Sequence, residues 1–369
     1  MAPLNRRMFL QTGIAGVLTG RACAAQTFRD FESAADILRS ATASGQVAAA
    51  SLCVRSRQFH KSWPAGKADS PEAVFLLASI SKTITVAAVM TLFDEGAFAL
   101  DESVSRFLPE FTGDNRERVT IRHLMTHTSG LPDQLPQNAA LRSRHAPLSE
   151  FVDATVRTPL LFSPGTQYGY SSMGILLASE IACRITSLAF SDLVSQRIYQ
   201  PLEMKRSAMG LGEFQRDEVM QGQLDDAAPE SGAGDPNAKS WDWNSSYWRH
   251  LGAPWGGAHG SASDVAIFLD ELLHRRGVVV KPETAALMTS NHNPPPLHPR
   301  GLGFDLGPTS GNGRGSNRQF GHTGSTGTLC WADPETETIC VVLTTLPGRA
   351  VSPHPRDLVS AEVARVSRQ

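Results

Sequence analysis

What most constrains this chain is where its strand-forming segments fall. One apolar run lies near the start, at 47–54, and four lie near the end, at 302–306, 318–322, 326–332 and 338–344. Gly-rich and Asp-Pro turns separate the late ones. Between the two groups the apolar residues recur at helical spacing instead. Ile84, Ala87, Ala88, Thr91 and Leu92 mark a helix over 80–95 that stops at Gly96. Further helices fit 120–126, 148–156, 171–185, 190–199 and 261–275, the last capped by Ser261 or Ser263, and helices also fit 28–44 and 356–368. The segment 213–250 is polar and rich in Trp (Trp241, Trp243, Trp248), and is expected as a long loop. Strands at both ends with helices in the middle predict an α+β fold. An antiparallel sheet forms from both chain ends and is flanked by helices, with a mostly helical lobe inserted. The α/β lobe then takes about 25–100 and 255–369, the helical lobe about 101–254, in one unit over 25–369. A chain of 369 residues that is 41% hydrophobic can fill such a core, and its net charge of −2 lacks the basic excess of a nucleic-acid binder.

The first 24 residues are set apart. Asn5-Arg6-Arg7-Met8-Phe9-Leu10-Gln11 precedes a weakly apolar stretch, and Ala22-Cys23-Ala24 offers small residues for cleavage. The order of charge, apolar run and small residues resembles a twin-arginine export signal and predicts a periplasmic or secreted protein. The stretch is too short and too polar to span a membrane stably. Beyond it lie Cys53, Cys183, Cys330 and Cys340, too few for a disulfide scaffold. If Asp333 pairs with Glu337, Cys330 faces Cys340. A bond between them and two buried free thiols are both open readings.

Three short strings carry chemistry. Ser79-Ile80-Ser81-Lys82 opens a helix. Residues three apart share a helix face, about 4.5 Å apart along the axis, so the Lys82 amine reaches the Ser79 hydroxyl. A serine is a poor nucleophile until a neighbour takes its proton, and a lysine whose pKa falls on burial can do so. Pro164-Gly165-Thr166-Gln167-Tyr168-Gly169-Tyr170-Ser171-Ser172 then delivers a tyrosine by a turn to the start of a helix. An ammonium beside that tyrosine favours its phenolate, which predicts shared base duty. Gly321-His322-Thr323-Gly324-Ser325-Thr326-Gly327 lies at a strand edge, where backbone N–H groups can face an oxyanion.

Taken in this order, the three strings resemble the serine β-lactamase and penicillin-binding protein superfamily, in the branch of class C β-lactamases and related esterases and peptidases. The resemblance runs over about residues 28–365 and includes Thr120–Leu131 and Gly256–Ser261. It implies that Ser79 is the acylated nucleophile, Lys82 its proton partner and Tyr170 the general base. It also implies an oxyanion hole from the N–H groups of Ser79 and Ser325, with His322, Thr323, Gly324 and Ser172 around the substrate. Two positions depart from the pattern. Ser172 stands where the family usually has Asn, and His322 where penicillin-recognising members mostly carry Lys. A serine cannot donate an amide N–H, and a neutral imidazole holds a carboxylate less firmly than an ammonium. Both changes favour ester or amide hydrolysis, on a small-molecule or short-peptide substrate. A true class C-like β-lactamase, a D-amino-acid peptidase and a slow-deacylating penicillin sensor are the alternatives.

Other chemistries find little support. His123 and His127 are four apart, but no Glu follows His123 and no third ligand has a suggestive spacing, so no metal is expected. No organic cofactor is expected either. Gly311-Asn312-Gly313-Arg314-Gly315 lacks the Lys-Ser/Thr of a phosphate loop and reads as a hairpin turn. No G-x-S-x-G is present. The Trp-rich loop fits equally a wall for an apolar substrate group or packing beneath the loop.

Overall fold

In the computed structural model, which describes residues 31–57, 60–311 and 315–369, the two terminal groups of strands meet in one sheet. The expected export signal, and Asn312, Gly313 and Arg314 of the glycine-rich turn, lie outside the described residues. An N-terminal hairpin of β1 (Ala49–Arg55) and β2 (His60–Gly66) follows helix α1 (Glu32–Ala43). At the C-terminal end come β6 (Asp305–Leu306), β7 (Phe320–Gly324), β8 (Thr328–Asp333), β9 (Thr338–Thr344) and helix α11 (Pro355–Val366). The six strands are antiparallel in the order β2-β1-β9-β8-β7-β6, so closure of the fold depends on β1 docking against β9.

Helices cover both faces of the sheet. On one, Phe31 and Leu38 beside α1 and within it, and Val359 and Val363 of α11, pack on Leu52, Leu329, Trp331 and Val342. On the other, α9 (Ala262–His274) packs on Cys53, Cys330, Val341 and Leu343. Every residue of β8 and β9 is therefore buried, which is why these strands read as unbroken apolar runs. The register decides the cysteines. Asp333 pairs with Thr338, one residue beyond the expected partner, so Cys330 opposes Val341 and Cys340 opposes Trp331. The one-residue slip turns the two thiols to opposite faces of the sheet, and both are free and buried.

Between the strand groups lies α2 (Ser81–Asp94), buried on all sides from Ser81 to Leu92. Around it are α3 (Ile121–Met125), α4 (Asn138–Ser143), α5 (Leu148–Arg157), α6 (Ser172–Thr186) and α7 (Phe190–Val194). The helix expected over 190–199 is α7 followed by a π-helical turn, Ser195–Tyr199. The segment 213–250 is mostly loop and ends in α8 (Ser246–Leu251). The short helices α4, α8 and α10 (Pro282–Met288) have no sequence expectation behind them, since one or two turns give too little periodicity. Neither has the small sheet in which β5 (Ala258–Gly260) lies between β3 (Phe75–Leu76) and β4 (Ser207–Met209). Its strands are too short to signal themselves, yet it ties the approach to α2 to the middle of the chain.

Gly327 turns the chain between β7 and β8 with φ +93°, and a Cβ there would run into the Leu346 carbonyl oxygen and Thr344 Oγ1. Gly327→Ala is expected to destabilise the fold by about 2 kcal/mol or more. The check is urea denaturation, where the midpoint should fall with the slope unchanged; a wild-type midpoint would contradict this packing.

Candidate active site

Ser79 sits in a single 3₁₀ turn, Ala78–Ile80, that runs straight into α2. Four hydrogen bonds fix this turn and the start of α2 to the rest of the molecule. Thr326 Oγ1 donates to the Leu76 carbonyl (2.9 Å) and Thr328 Oγ1 to the Leu77 carbonyl (2.8 Å). The Ala258 N–H donates to Ser81 Oγ (2.9 Å), and Thr85 Oγ1 to the Pro254 carbonyl (2.6 Å). Ala78 takes φ +48°, an unfavourable region for a residue with a side chain, directly before Ser79. One helical turn on, Lys82 Nζ donates to Ser79 Oγ at 3.0 Å and to the Trp255 carbonyl at 2.8 Å. Lys82 is 1% exposed, and burial pushes its amine down to about 7. Asp133, Glu230 and Asp305 oppose that shift, while Arg300 adds to it.

Tyr170 is delivered by the capped start of α6. Ser171 caps the helix by accepting the Gly174 N–H (2.9 Å), and its hydroxyl donates to the Pro132 carbonyl (2.9 Å). The Ser171 N–H donates to His127 Nδ1 (3.2 Å), and the His127 ring packs 4.6 Å from that of Tyr170. Tyr170 lines the same cleft as Ser79, and Lys82 Nζ lies 4.8 Å from the Tyr170 ring centre. Burial raises the Tyr170 pKa well above its ordinary value, although Arg300 and Ser79 act the other way. The phenolate anticipated beside an ammonium is thus opposed, because the burial that neutralises Lys82 also protects the tyrosine proton.

The third string lies on β7. Strand β6 pairs only with Phe320 and Gly321, so the backbone from His322 onward is open at the sheet edge. Gly324 is where β7 meets the nucleophile turn: a Cβ there would lie 2.6 Å from the Leu77 carbonyl oxygen and collide with Thr328 Oγ1. Thr323, Gly324 and Ser325 thereby line a cleft of about 460 Å³ with Ser79, Tyr168 and Tyr170. Ser79, Tyr170 and Ser325 also border a smaller pocket on the other side, lined by Ser172, Asp133, Glu230, Trp243, Trp248 and Trp255. Of the Trp-rich loop, then, Trp243 and Trp248 are wall, whereas Trp241 is buried without reaching this pocket.

Two of the expected substrate residues are also engaged by other protein groups. His322 borders the cleft, but both ring nitrogens are already engaged: Nδ1 with the Thr323 carbonyl (2.7 Å) and Nε2 with Arg300 (2.8 Å). A guanidinium only donates, so Nε2 accepts and the proton sits on Nδ1. Burial brings the imidazole down to about 4, so it is neutral and is not free to grip a substrate carboxylate. Ser172, expected at the substrate, borders the smaller pocket and gives both its hydroxyl (2.6 Å) and its N–H (3.0 Å) to Asp133 Oδ1. His123 and His127 also part company. His123 closes the capping box of α3 with Thr120, while His127 lies beyond that helix against Tyr170.

Several residues at the site escaped the sequence reading. Asp133 follows Gly130-Leu131-Pro132 immediately, and the end of that string was its one available signal. Trp255 contributes only its backbone carbonyl, which no side-chain pattern reports. Arg300 is completely buried, pairs with Asp305 and stacks 5.8 Å from the Tyr170 ring centre, yet it lies in an irregular segment with no local signature.

Comparison with known proteins matches a family model described as Beta-lactamase over residues 35–365. Esterase EstB of Burkholderia gladioli is 34% identical over 156 residues, 38% of this chain and 40% of the esterase. Curated relatives such as this one are matched over only 28 to 40% of their own length. Among solved structures, a D-amino acid amidase from Ochrobactrum anthropi covers 92% of this chain and 98% of its own, with TM-score 0.73 and 23% identity. A family VIII carboxylesterase covers 92% and 97%, with TM-score 0.75 and 18% identity. At these identities the two structures speak for the fold.

With Lys82 neutral only above about pH 7, Ser79 should become reactive over that range. Covalent labelling by a fluorophosphonate is expected to rise with pH and level off above about 7. Lys82→Ala should lose that rise; a flat profile in the wild type would remove Lys82 as proton acceptor.

Proposed function

We propose that this chain, which belongs to the β-lactamase family, is an exported serine hydrolase that cleaves an ester or amide through an acyl-enzyme on Ser79. The observation that carries this reading is the 3.0 Å contact from a buried, easily neutralised Lys82 amine to the Ser79 hydroxyl. Lys82 takes the Ser79 proton as Oγ attacks the carbonyl carbon, and the oxyanion is received by the N–H groups of Ser79 and Ser325. Tyr170, still protonated and in the same cleft as Ser79, passes its proton to the departing alcohol or amine. The Lys82 ammonium makes that proton good. A water then repeats the attack on the acyl-enzyme, and its proton returns by the same pair. The scheme needs neither a metal nor an organic cofactor.

The preference for an ester or uncharged amide rests on the neutral, doubly bonded His322 and on Ser172 being tied to Asp133. The matched esterase and the amidase and carboxylesterase folds are in keeping with it. A second reading, a β-lactam or C-terminal peptide bearing a carboxylate, draws on Arg349 and Arg356, which line the wide cleft.

The deciding measurement is the rate on a short p-nitrophenyl ester against that on a chromogenic cephalosporin, with Ser79→Ala beside both. The ester should dominate, and Ser79→Ala should abolish turnover. A dominant cephalosporin rate would establish the second reading. Turnover that survives in Ser79→Ala would sink the acyl-enzyme. Export is tested separately: replacing Arg6 and Arg7 by Lys should leave the protein in the cytoplasm, and unchanged export would refute the twin-arginine assignment.

A further inference from the structure

We propose that Arg300 is a positioning residue for acyl transfer: a buried guanidinium that holds His322 in one neutral form and keeps a permanent positive charge beside Tyr170 and Lys82. The inference rests on the serine-hydrolase reading above and adds a residue to it.

The geometry is that of a hub. Arg300 is completely buried in the segment between α10 and β6, and its backbone N–H donates to Asn291 Oδ1 at 3.0 Å. Its guanidinium is shared between an ion pair with Asp305 and a 2.8 Å bond to His322 Nε2. Tyr168 lines the same cleft, and the guanidinium carbon lies 5.8 Å from the Tyr170 ring centre. Nε has no partner among the described residues. An arginine kept only to neutralise Asp305 would not need this reach. A guanidinium keeps its proton at any working pH and can only donate, so His322 cannot become an imidazolium without setting two donors against each other. The start of the oxyanion strand therefore keeps one arrangement as pH changes.

The charge matters as much as the fork. Asp133, Glu230 and Asp305 all act on Lys82 to hold its proton, and burial keeps His127 and His322 neutral. Arg300 is the cation that opposes those carboxylates. It also counters the burial that locks the proton on Tyr170. Without it, Lys82 would stay protonated to higher pH and Tyr170 would release its proton less readily.

Three variants test this on the substrate that the wild type turns over through Ser79. Arg300→Gln should lower kcat by about a hundredfold at pH 7 with KM little changed, the scale of a misplaced catalytic group. The rising limb of its pH profile should move upward. Arg300→Lys, which keeps the charge but not the fork, should hold the limb near its wild-type position with a reduced plateau. Arg300→Gln/Asp305→Asn leaves no stranded carboxylate and controls for folding, judged by its urea midpoint; it should fold and remain slow. Wild-type kcat in that double variant would overturn the proposal and leave Arg300 as a counter-ion for Asp305. Absence of any Ser79-dependent turnover in the wild type would instead overturn the hydrolase reading itself.

Discussion

The site depends on one costly placement, an amine on the first turn of a helix that is buried on every side. Lys82 is enclosed between Ser79 and the Trp255 carbonyl. A charged ammonium is expensive there, so the amine gives up its proton near neutrality, which turns a surface-type residue into a base. That condition reaches outward. Trp255 must stand with its carbonyl turned inward, and Thr85 must hold Pro254 next to it. The helix itself must be apolar all round, as α2 is from Ser81 to Leu92.

The same helix joins the two halves of the fold. Its entry turn is gripped by the β7–β8 hairpin through Thr326 and Thr328, and Gly324 lets the strand approach closely enough to bring Ser325 beside Ser79. Yet β7 and β8 hold their place only because β9 is zipped to β1 from the other end of the chain. Ser79 and the β7 edge are far apart in sequence, so they assemble only when the sheet closes. The small sheet of β3, β5 and β4 supplies a second tie from the middle of the chain.

Charge around the site is arranged in opposition. Carboxylates at Asp133, Glu230 and Asp305 act to keep the Lys82 proton, and the guanidinium of Arg300 acts to release it. Ser172 holds Asp133 in place, and Arg300 holds His322. Both departures from the family pattern are thus tied to neighbouring protein groups. A side chain so engaged is less free to read a ligand.

The sequence alone determined the architecture, because hydrophobic period is a local property: runs at 47–54, 318–322, 326–332 and 338–344 read as strands, and spacing around Ile84 and Leu92 as a helix. It also determined the pairing of Ser79 with the Lys82 amine, since the two lie one helical turn apart and a helix fixes their distance whatever surrounds it. Tyr170 and the Gly324 strand edge were legible as strings, though their meeting with Ser79 was not. Only the tertiary structure decided the rest. One residue of β8–β9 register turned Cys330 and Cys340 to opposite faces. Burial, which depends on the whole fold, put the easily lost proton on Lys82 and the firmly held one on Tyr170. Asp133, the Trp255 carbonyl and Arg300 act across long stretches of chain, through contacts that no local pattern encodes.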